Sequence, residues 1–272
     1  MDILIATAIV AGIGLICAIM LVIASKFFAV HENKKLKDIR ECLPGANCGA
    51  CGYAGCDGYA QALSEDDTVK TNLCIPGADA VAKQIADILG KDAEDVIEQV
   101  AVIHCYGDCT HTENKMDYFG INSCKAAKIM YGGKKKCGFG CMGFGDCVAV
   151  CPQKAICLQN GIAHINTRQC IGCGMCIQSC PQGLISLISD EENVLITCNN
   201  KEKAAVARSK CSNACIGCKK CEKNCPTGAI TVKDNLATID YSLCTRCELC
   251  AKNCPIGCIL VSDFNGIHKA NK

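Results

Sequence analysis

The stretch CIGCKKCEKNCP, residues 215–226, carries four cysteines at the spacing C-x2-C-x2-C-x3-C, followed by a proline. Two near-copies lie in the same chain, CIGCGMCIQSCP at residues 170–181 and CTRCELCAKNCP at residues 244–255. Four thiolates on such a run cannot all bind one cubane cluster comfortably, and in paired runs the fourth binds the neighbouring cluster. The pattern therefore predicts paired 4Fe-4S clusters that exchange one ligand each.

From about residue 118 the chain is a tandem repeat with an offset of 74 residues. Residues 155–170 match residues 229–244 without a gap, and each segment has two short alternating runs around a turn, Asn160-Gly161 or Asp234-Asn235. These turns predict β-hairpins. The cysteines in register are Cys124 with Cys198, Cys137 with Cys211, Cys141 with Cys215, Cys147 with Cys221, Cys151 with Cys225, Cys170 with Cys244, Cys173 with Cys247, Cys176 with Cys250 and Cys180 with Cys254. We interpret the repeat as two copies of one small module.

In the second copy, the exchange of the fourth cysteine predicts two complete ligand sets. The first set is Cys215, Cys218, Cys221 and Cys254, and the second set is Cys244, Cys247, Cys250 and Cys225. Pro226 and Pro255 turn the chain after each exchanged ligand. At this point the sequence resembles the two-cluster ferredoxin family, which implies two short antiparallel ribbons, two helices and two 4Fe-4S clusters in the core.

The first copy departs from this pattern because Phe144 stands where the second copy has Cys218. The opening half reads CGFGCMGFGDCVAVCP, residues 137–152, and Cys137 is the replacement that we predict. The predicted sets are then Cys137, Cys141, Cys147 and Cys180 for one cluster, and Cys151, Cys170, Cys173 and Cys176 for the other.

An earlier glycine-rich run, CLPGANCGACGYAGCDG at residues 42–58, adds a further candidate site. Its four thiolates are Cys48, Cys51, Cys56 and Cys74, and we predict that they hold another 4Fe-4S cluster. A structural zinc ion bound by four cysteines is the alternative.

The five sets leave nine cysteines over. Cys17, Cys157 and Cys258 are interpreted as apolar filler or core, and Cys42 as an unused thiol or a group near the first site. Three of the others belong to the repeat but are not needed by the five sets. One hypothesis is a sixth cluster that joins the modules at Cys105, Cys124, Cys198 and Cys211, with Cys109 as a substitute ligand; ordinary buried thiols are the alternative.

Residues 3–25 are 23 consecutive uncharged, mostly apolar positions. Such a helix reaches about 34 Å, which is enough to cross a hydrocarbon core of about 30 Å. The basic residues near it all follow this stretch: Lys26, Lys34, Lys35, Lys37 and Arg40. Basic flanks favour the cytoplasm, so we expect a single-pass protein of the cytoplasmic membrane with its cysteines on the cytoplasmic side. Reducing conditions there favour metal sites over a secreted, disulfide-rich protein.

The predicted fold class is α+β: a transmembrane helix, a small 4Fe-4S domain and tandem ferredoxin-like modules. A strand is expected around residues 100–105, a helix over residues 79–89 and another helical turn or two over residues 93–100. The predicted divisions are the transmembrane helix (1–25), a tether (26–41), a cluster domain (42–90), a connecting region (91–134), module 1 (135–190), a second connecting region (191–210) and module 2 (211–264).

No residue set for acid-base or nucleophilic catalysis stands out, and no catalytic residue is predicted. The histidines, His31, His104, His111, His164 and His268, show no ligand spacing. A dinucleotide-binding G-x-G-x-x-G motif after a strand is also missing. A net charge of +1 gives no case for nucleic acid. Residues 201–223 hold seven basic and two acidic residues, where an acidic donor could dock, although a solvated face explains them equally well.

The whole arrangement resembles one family, the B subunit of the Rnf complex, a membrane-bound ferredoxin:NAD oxidoreductase that pumps sodium ions or protons. The amino-terminal apolar stretch, LPGANCGACGYAGC at residues 43–56 with Cys74, residues 137–152 and residues 215–226 carry the resemblance. Two ferredoxin modules look like the clostridial-type version. The cysteine sets predict five 4Fe-4S clusters, or six with the joining set, and the resemblance implies a non-catalytic electron-transfer subunit. Reduced soluble ferredoxin is the implied donor, and the membrane and peripheral subunits of the complex are the implied partners.

Two other functions fit the same cysteine patterns. One is a reductase subunit for a redox-sensing iron-sulfur transcription factor, and the other is an electron-transfer subunit of a membrane hydrogenase. Cluster potentials distinguish them, since very negative potentials fit a ferredoxin partner and milder potentials fit a sensor.

Overall fold

The computed structural model describes residues 2–27, 34–262 and 264. The amino-terminal part is helical, with α1 over Asp2–Phe27 and α2 over Lys34–Cys42. Side chains along α1 are described for Ile5 and for residues 11–24. Within the described residues, no helix has the length and hydropathy that a membrane span requires, and the membrane anchor stays a prediction. Residues 28–33 of the predicted tether, with His31, and His268 lie outside the described residues.

A small helical domain follows α2. It consists of α3 (Cys56–Glu65), a 3-10 turn (Ile75–Gly77) and α4 (Ala78–Leu89). The predicted end of α4 is confirmed, because Gly90 takes the left-handed conformation (φ 66°) that closes a helix. Ile39, Tyr59, Leu63 and Ile85 are almost completely buried between α2, α3 and α4. Burial of each such side chain stabilises the domain by about 1.5–3 kcal/mol.

The first ferredoxin-like module has two antiparallel strand pairs and two short helices. Its elements are β1 (Gln99–Ile103), α6 (Asp146–Ala149), β2 (Ile156–Gln159), β3 (Ile162–Ile165), α7 (Met175–Ser179) and β4 (Ile185–Ser189). Strand β1 pairs with β4, and β2 pairs with β3. The strand expected around residues 100–105 is confirmed as β1, which ends at Ile103. The helical turn expected over residues 93–100 is wrong, since residues 91–98 have no regular structure and β1 follows directly.

Strand β1 lies within the predicted connecting region, ahead of the predicted start of module 1 at residue 135. The structural module therefore begins earlier in the chain than its cysteines do. Between β1 and α6 lies an inserted segment that contains α5 (Cys124–Tyr131).

The second module repeats this topology. Its elements are β5 (Val194–Ile196), α8 (Ala204–Lys210), α9 (Lys220–Lys223), β6 (Ile230–Lys233), β7 (Leu236–Ile239), α10 (Leu249–Lys252) and β8 (Ile259–Val261). Strand β5 pairs with β8, and β6 pairs with β7. Both predicted hairpins are confirmed: Asn160, Gly161, Asp234 and Asn235 all have positive φ, as the tight two-residue turn requires. The mixed helix and strand content agrees with the α+β prediction.

The segment after β1 joins the two modules through hydrogen bonds. The ring of His104 contacts the carbonyl oxygen of Ile196 through Nδ1 (2.8 Å) and the hydroxyl of Ser186 through Nε2 (2.7 Å). The amide of Tyr106 donates to the carbonyl oxygen of Thr197 (3.1 Å). These bonds link β4 of the first module to β5 of the second. They hold the cysteines of the two modules in a defined relation.

Candidate iron-sulfur sites

The cysteine side chains gather in six groups, which we number by their order along the molecule. Site 1 is Cys48, Cys51, Cys56 and Cys74; site 2 is Cys151, Cys170, Cys173 and Cys176; site 3 is Cys124, Cys141, Cys147 and Cys180; site 4 is Cys105, Cys137, Cys198 and Cys211; site 5 is Cys215, Cys218, Cys221 and Cys254; site 6 is Cys225, Cys244 and Cys250, with Cys247 on the loop between the last two.

Site 1 is formed by the glycine-rich loop and the start of α3. The side-chain Oδ1 of Asn47 accepts a hydrogen bond from the amide of Cys56 (2.9 Å), which fixes the loop against the helix. Cys56 and Cys74 are buried. Burial raises the pKa of the Cys74 thiol to about 11, and the three other cysteines of the site act in the same direction. The structure thus brings together the four cysteines that the sequence predicted.

Site 2 lies in the core of the first module and also unites the predicted cysteines. The amide of Ala101 in β1 donates to Sγ of Cys170 (3.3 Å), and the amide of Ala155 donates to Sγ of Cys151 (3.3 Å). Burial raises the pKa of Cys176 to about 12, and the three neighbouring cysteines add to this effect.

Site 3 differs from the set of four cysteines that the sequence predicts for the first module. Cys124, and not Cys137, shares a cavity with Cys141, Cys147 and Cys180. Burial raises the pKa of Cys147 to about 12, and nearby Cys141 and Cys124 reinforce the shift. Cys124 begins α5, and this helix lies against the start of α6, which carries Cys147. The inserted helix therefore places a fourth cysteine in this group, which has no cysteine at Phe144.

Phe144 has a different role. Its ring packs against Tyr118 with 5.1 Å between the centroids, and Nζ of Lys134 lies 5.1 Å from the same ring. A cation over an aromatic face is attracted to it. Phe144 therefore belongs to an aromatic and cationic contact in the position that holds a cysteine in the second module.

Site 4 lies between the two modules and contains the cysteine that the sequence assigned elsewhere. Cys137 shares a cavity with Cys105, Cys198 and Cys211, so it replaces Cys124 in the predicted sixth set. Burial raises the pKa of Cys211 to about 11, with Cys137 and Cys105 acting in the same direction. Cys109, the predicted substitute, is exposed and does not line this cavity.

Sites 5 and 6 share the core of the second module. Burial raises the pKa of Cys221 to about 11, and Cys215, Cys218 and Cys254 contribute to the shift. Cys218 and Cys247 are exposed, in contrast to Cys173, which is buried in the first module. The second module therefore presents a cysteine of each site to solvent.

Cys258 is a residue whose contacts the sequence did not reveal. It is 2 % exposed, and its sulfur lies 3.7 Å from Sγ of Cys254. Hydrogen bonding from Cys258 lowers the pKa of Cys254 to about 5 and that of Cys215 to about 6. Its repeat equivalent is Leu184, so no comparison of the two copies could have found this role.

The remaining cysteines lie outside these sites. Cys17 is exposed on α1, Cys42 is partly exposed at the end of α2, and Cys157 is exposed on β2. All cysteines of the chain are described, and none forms a disulfide. Among the residues that the structure describes, no three His, Cys, Asp or Glu side chains come close enough together for a single metal ion.

The hydrogen bonds around the sulfur atoms fit 4Fe-4S clusters. Backbone amides are directed at Sγ of five cysteines in sites 2, 3 and 4, at donor–sulfur distances of 3.2–3.5 Å: Cys105, Cys151, Cys170, Cys180 and Cys198. A thiol is a weak acceptor, whereas a thiolate is a charged one and binds N–H groups more strongly. Groups of four buried or partly buried cysteines with amides aimed at them suit a cluster that carries negative charge.

Neighbouring groups lie close to one another from site 1 to site 5, and sites 5 and 6 share the core of the second module. We call this series, from site 1 to site 6, the row. Cys173 of site 2 is within electrostatic reach of Cys48 of site 1, and Cys176 has the same relation to Cys147 of site 3. The amide of Cys141 in site 3 donates to Sγ of Cys105 in site 4 (3.2 Å). The amide of Cys215 in site 5 donates to Sγ of Cys198 in site 4 (3.2 Å). Site 4 is therefore the link between the two modules.

Sequence families with iron-sulfur clusters match four parts of the chain. Residues 43–76 match a family described as an Fe-S cluster family. Three families described as 4Fe-4S dicluster domains match residues 129–181, 169–230 and 214–258. These matches cover all of sites 1, 2, 5 and 6.

Curated relatives match most of the chain. The B subunit of the proton-translocating ferredoxin:NAD(+) oxidoreductase complex of Clostridium ljungdahlii is 45% identical over 85% of this chain and 82% of its own length. The B subunit of the Na(+)-translocating ferredoxin:NAD(+) oxidoreductase complex of Acetobacterium woodii is 38% identical over 88% of this chain and 72% of its own length. The B subunit of the ion-translocating oxidoreductase complex of Methanosarcina acetivorans is 39% identical over 86% of this chain and 88% of its own length. The chain therefore belongs to the family of B subunits of Rnf-type ion-translocating oxidoreductase complexes.

Proposed function

We propose that this chain is the electron-transfer subunit of an ion-translocating ferredoxin:NAD oxidoreductase complex and holds a 4Fe-4S cluster at each of its six sites. When bound, such a cluster takes up and releases one electron. The observation that carries the proposal is the row of six cysteine groups, in which each group lies close to the next. The subunit itself makes no chemical bond in a substrate; its residues hold the cofactors and set their surroundings.

The ligands proposed for the sixth cluster are Cys105, Cys137, Cys198 and Cys211. Two of them come from the segment between β1 and α6, and two come from the second module. They share one cavity, and three of them are involved in hydrogen bonds with nearby N–H groups. Buried thiols without a cofactor would not need such donors.

We place the electron donor at the site 6 end of the row. Cys247 of site 6 and Cys218 of the adjacent site 5 are exposed, and Lys220, Lys223 and Lys252 are exposed residues of the same two cysteine runs. Exposed basic residues in the runs that carry exposed cysteines favour an acidic carrier such as ferredoxin, since opposite charges steer the encounter. The opposite end, site 1, is joined through α2 to the amino-terminal part of the chain, so we place the other subunits of the complex near site 1.

Helix α1 is the proposed membrane anchor. It is continuous over Asp2–Phe27, and its described side chains include exposed Leu15, Ile19 and Leu21. A hydrophobic surface of this kind in water is costly unless lipid or another protein covers it. The test is fractionation of cells that produce the full chain or the chain without residues 1–27. Loss of membrane association in the shortened chain alone supports the anchor, and equal distribution contradicts it.

The function is tested with the complex purified under anaerobic conditions. Reduced ferredoxin should drive NAD reduction, and Cys48→Ala and Cys244→Ala, at the two ends of the row, should each slow it strongly. A Cys157→Ala variant is the control, because Cys157 is exposed on β2 and belongs to no site. Unchanged rates in both end variants would contradict the proposal. Iron analysis of the chain should give about 24 atoms for six clusters and about 20 for five.

A further inference from the structure

The wall of site 4 contains a buried positive charge. Lys135 is only 5 % exposed, and its Nζ donates hydrogen bonds to the carbonyl oxygens of Gly107 (3.0 Å) and Gly161 (2.9 Å). Both acceptors are uncharged, so they orient the ammonium group without neutralising it. Lysine is almost never buried in this way without a compensating partner.

No other charged residue lines the cavity of site 4 in the described part of the chain. Lys135 lines this cavity together with the four cysteines of site 4, Cys105, Cys137, Cys198 and Cys211. The negative charge that Lys135 faces is therefore the charge of the sulfur ligands between the two modules.

Reduction adds one negative charge to a group that already contains four thiolates. A fixed cation nearby stabilises the reduced form more than the oxidised form, and burial weakens the screening of this effect by water. The side-chain amide of Asn200, 3.7 Å from Sγ of Cys137, and the amides directed at Cys105 and Cys198 act in the same direction. Lys135 adds a full charge to these dipoles.

We propose that Lys135 raises the reduction potential of the cluster at site 4, so that the junction between the two modules is more easily reduced than it would be with its sulfur ligands and amides alone. This inference rests on the proposed function, because it requires a cluster at site 4. Lys135 touches neither a substrate nor, in this geometry, a sulfur ligand; it acts through its charge.

The test is a redox titration of the full chain, purified under anaerobic conditions and followed by electron paramagnetic resonance. The signal that disappears in Cys137→Ala identifies site 4. In Lys135→Met, reduction of that site at a fixed potential should become at least tenfold less favourable, which corresponds to a midpoint lowered by about 59 mV for one electron. Lys135→Gln, which keeps a hydrogen-bond donor but not the charge, should lower the midpoint by a similar amount. Lys135→Arg, which keeps the charge, should have a midpoint close to that of the parent protein.

Lys136→Met is the matched control. Lys136 is the next residue, but its side chain is 46% exposed and pairs with Glu113. Its loss should leave the site 4 midpoint unchanged. An equal shift in Lys136→Met, or an unchanged midpoint in both Lys135→Met and Lys135→Gln, overturns the proposal. Loss of the site 4 signal in every Lys135 variant would assign Lys135 to assembly, which also overturns it.

Failure of the proposed function would look different. If Cys137→Ala kept all of its iron and all of its signals, no cluster would exist at site 4. If Cys137→Ala lost about four iron atoms but the Lys135 variants titrated like the parent protein, only the inference about Lys135 would fail.

Discussion

The backbone amide of Cys124 donates a hydrogen bond of 2.9 Å to Oδ1 of Asp146. The other oxygen of this carboxylate accepts from the hydroxyl of Ser123 (2.9 Å) and from the amide of Lys125 (3.1 Å). Burial would raise the pKa of Asp146, but these hydrogen bonds lower it below its usual value. One carboxylate at the start of α6 thus fixes the start of α5 and brings Cys124 to Cys147.

Replacement of Asp146 by alanine should release the first turn of α5 and weaken site 3. Hydrogen bonds to a charged acceptor contribute about 1.5–3 kcal/mol each, so we expect loss of about four iron atoms per chain or much faster loss of iron to a chelator. Asp117→Ala is the control, since Asp117 is an exposed carboxylate in the same segment. Full iron retention in Asp146→Ala would show that α5 is held by other contacts.

Double variants test the assignment of Cys124 and Cys137. If Cys137 and Cys211 serve one cluster, Cys137→Ala with Cys211→Ala should lose about four iron atoms, as either single variant does. Cys137→Ala with Cys147→Ala should lose about eight, because these residues serve different clusters. The assignment made from the sequence requires the opposite pattern, and iron analysis of the four variants decides between them.

Loss of the Cys258 thiol should affect site 5 alone. A hydrogen bond to a sulfur ligand stabilises the reduced cluster, and about 1 kcal/mol corresponds to a midpoint change of about 40 mV for one electron. Cys258→Ala should therefore lower the site 5 midpoint by about this amount, and Cys258→Ser should largely preserve it. Cys157→Ala, on the exposed face of β2, should titrate like the parent protein. A change of the same size in the site 5 midpoint of Cys157→Ala would contradict the attribution of the effect to the hydrogen bond from Cys258.

Two glycines at equivalent positions of the repeat should not tolerate a side chain. Gly143 (φ 76°) faces the carbonyl oxygen of Gly161, and at Gly217 (φ 60°) a Cβ would lie 2.9 Å from Cα of Asn235. A left-handed conformation costs a residue other than glycine about 1–2 kcal/mol before any collision. Each glycine-to-alanine variant should therefore lose its visible cluster absorbance at a temperature lower by about 5 °C or more. Gly138→Ala is the control, since its Cβ would meet nothing within 4 Å.

The sequence was sufficient to predict the parts of the fold that depend on local patterns. Paired cysteine runs indicated the modules, and Asn160-Gly161 and Asp234-Asn235 indicated the hairpins. The four cysteines of site 1, and those of sites 2 and 5, lie together as expected. In each case the deciding residues are close in sequence or related by the repeat.

The positions of Cys124 in site 3 and Cys137 in site 4, which are the reverse of the assignment made from the sequence, could not be predicted in the same way. Cys137 is nearer to Cys141 in sequence, but Asp146 brings α5, with Cys124, to the other side of the site. A tertiary contact of this kind leaves no spacing pattern. The same reason applies to the pairing of β1 with β4, which lies more than 80 residues later in the chain, and to Lys135, which only the folded chain shows to be buried.

The four cysteines of site 4 come from both halves of the duplicated chain. The cluster proposed there would therefore form last. The junction can receive iron only after both halves have folded and come together. A cluster at site 4 would therefore mark a chain in which both modules are folded and joined. Oxidative loss of that cluster would interrupt electron transfer between two modules whose other clusters are intact.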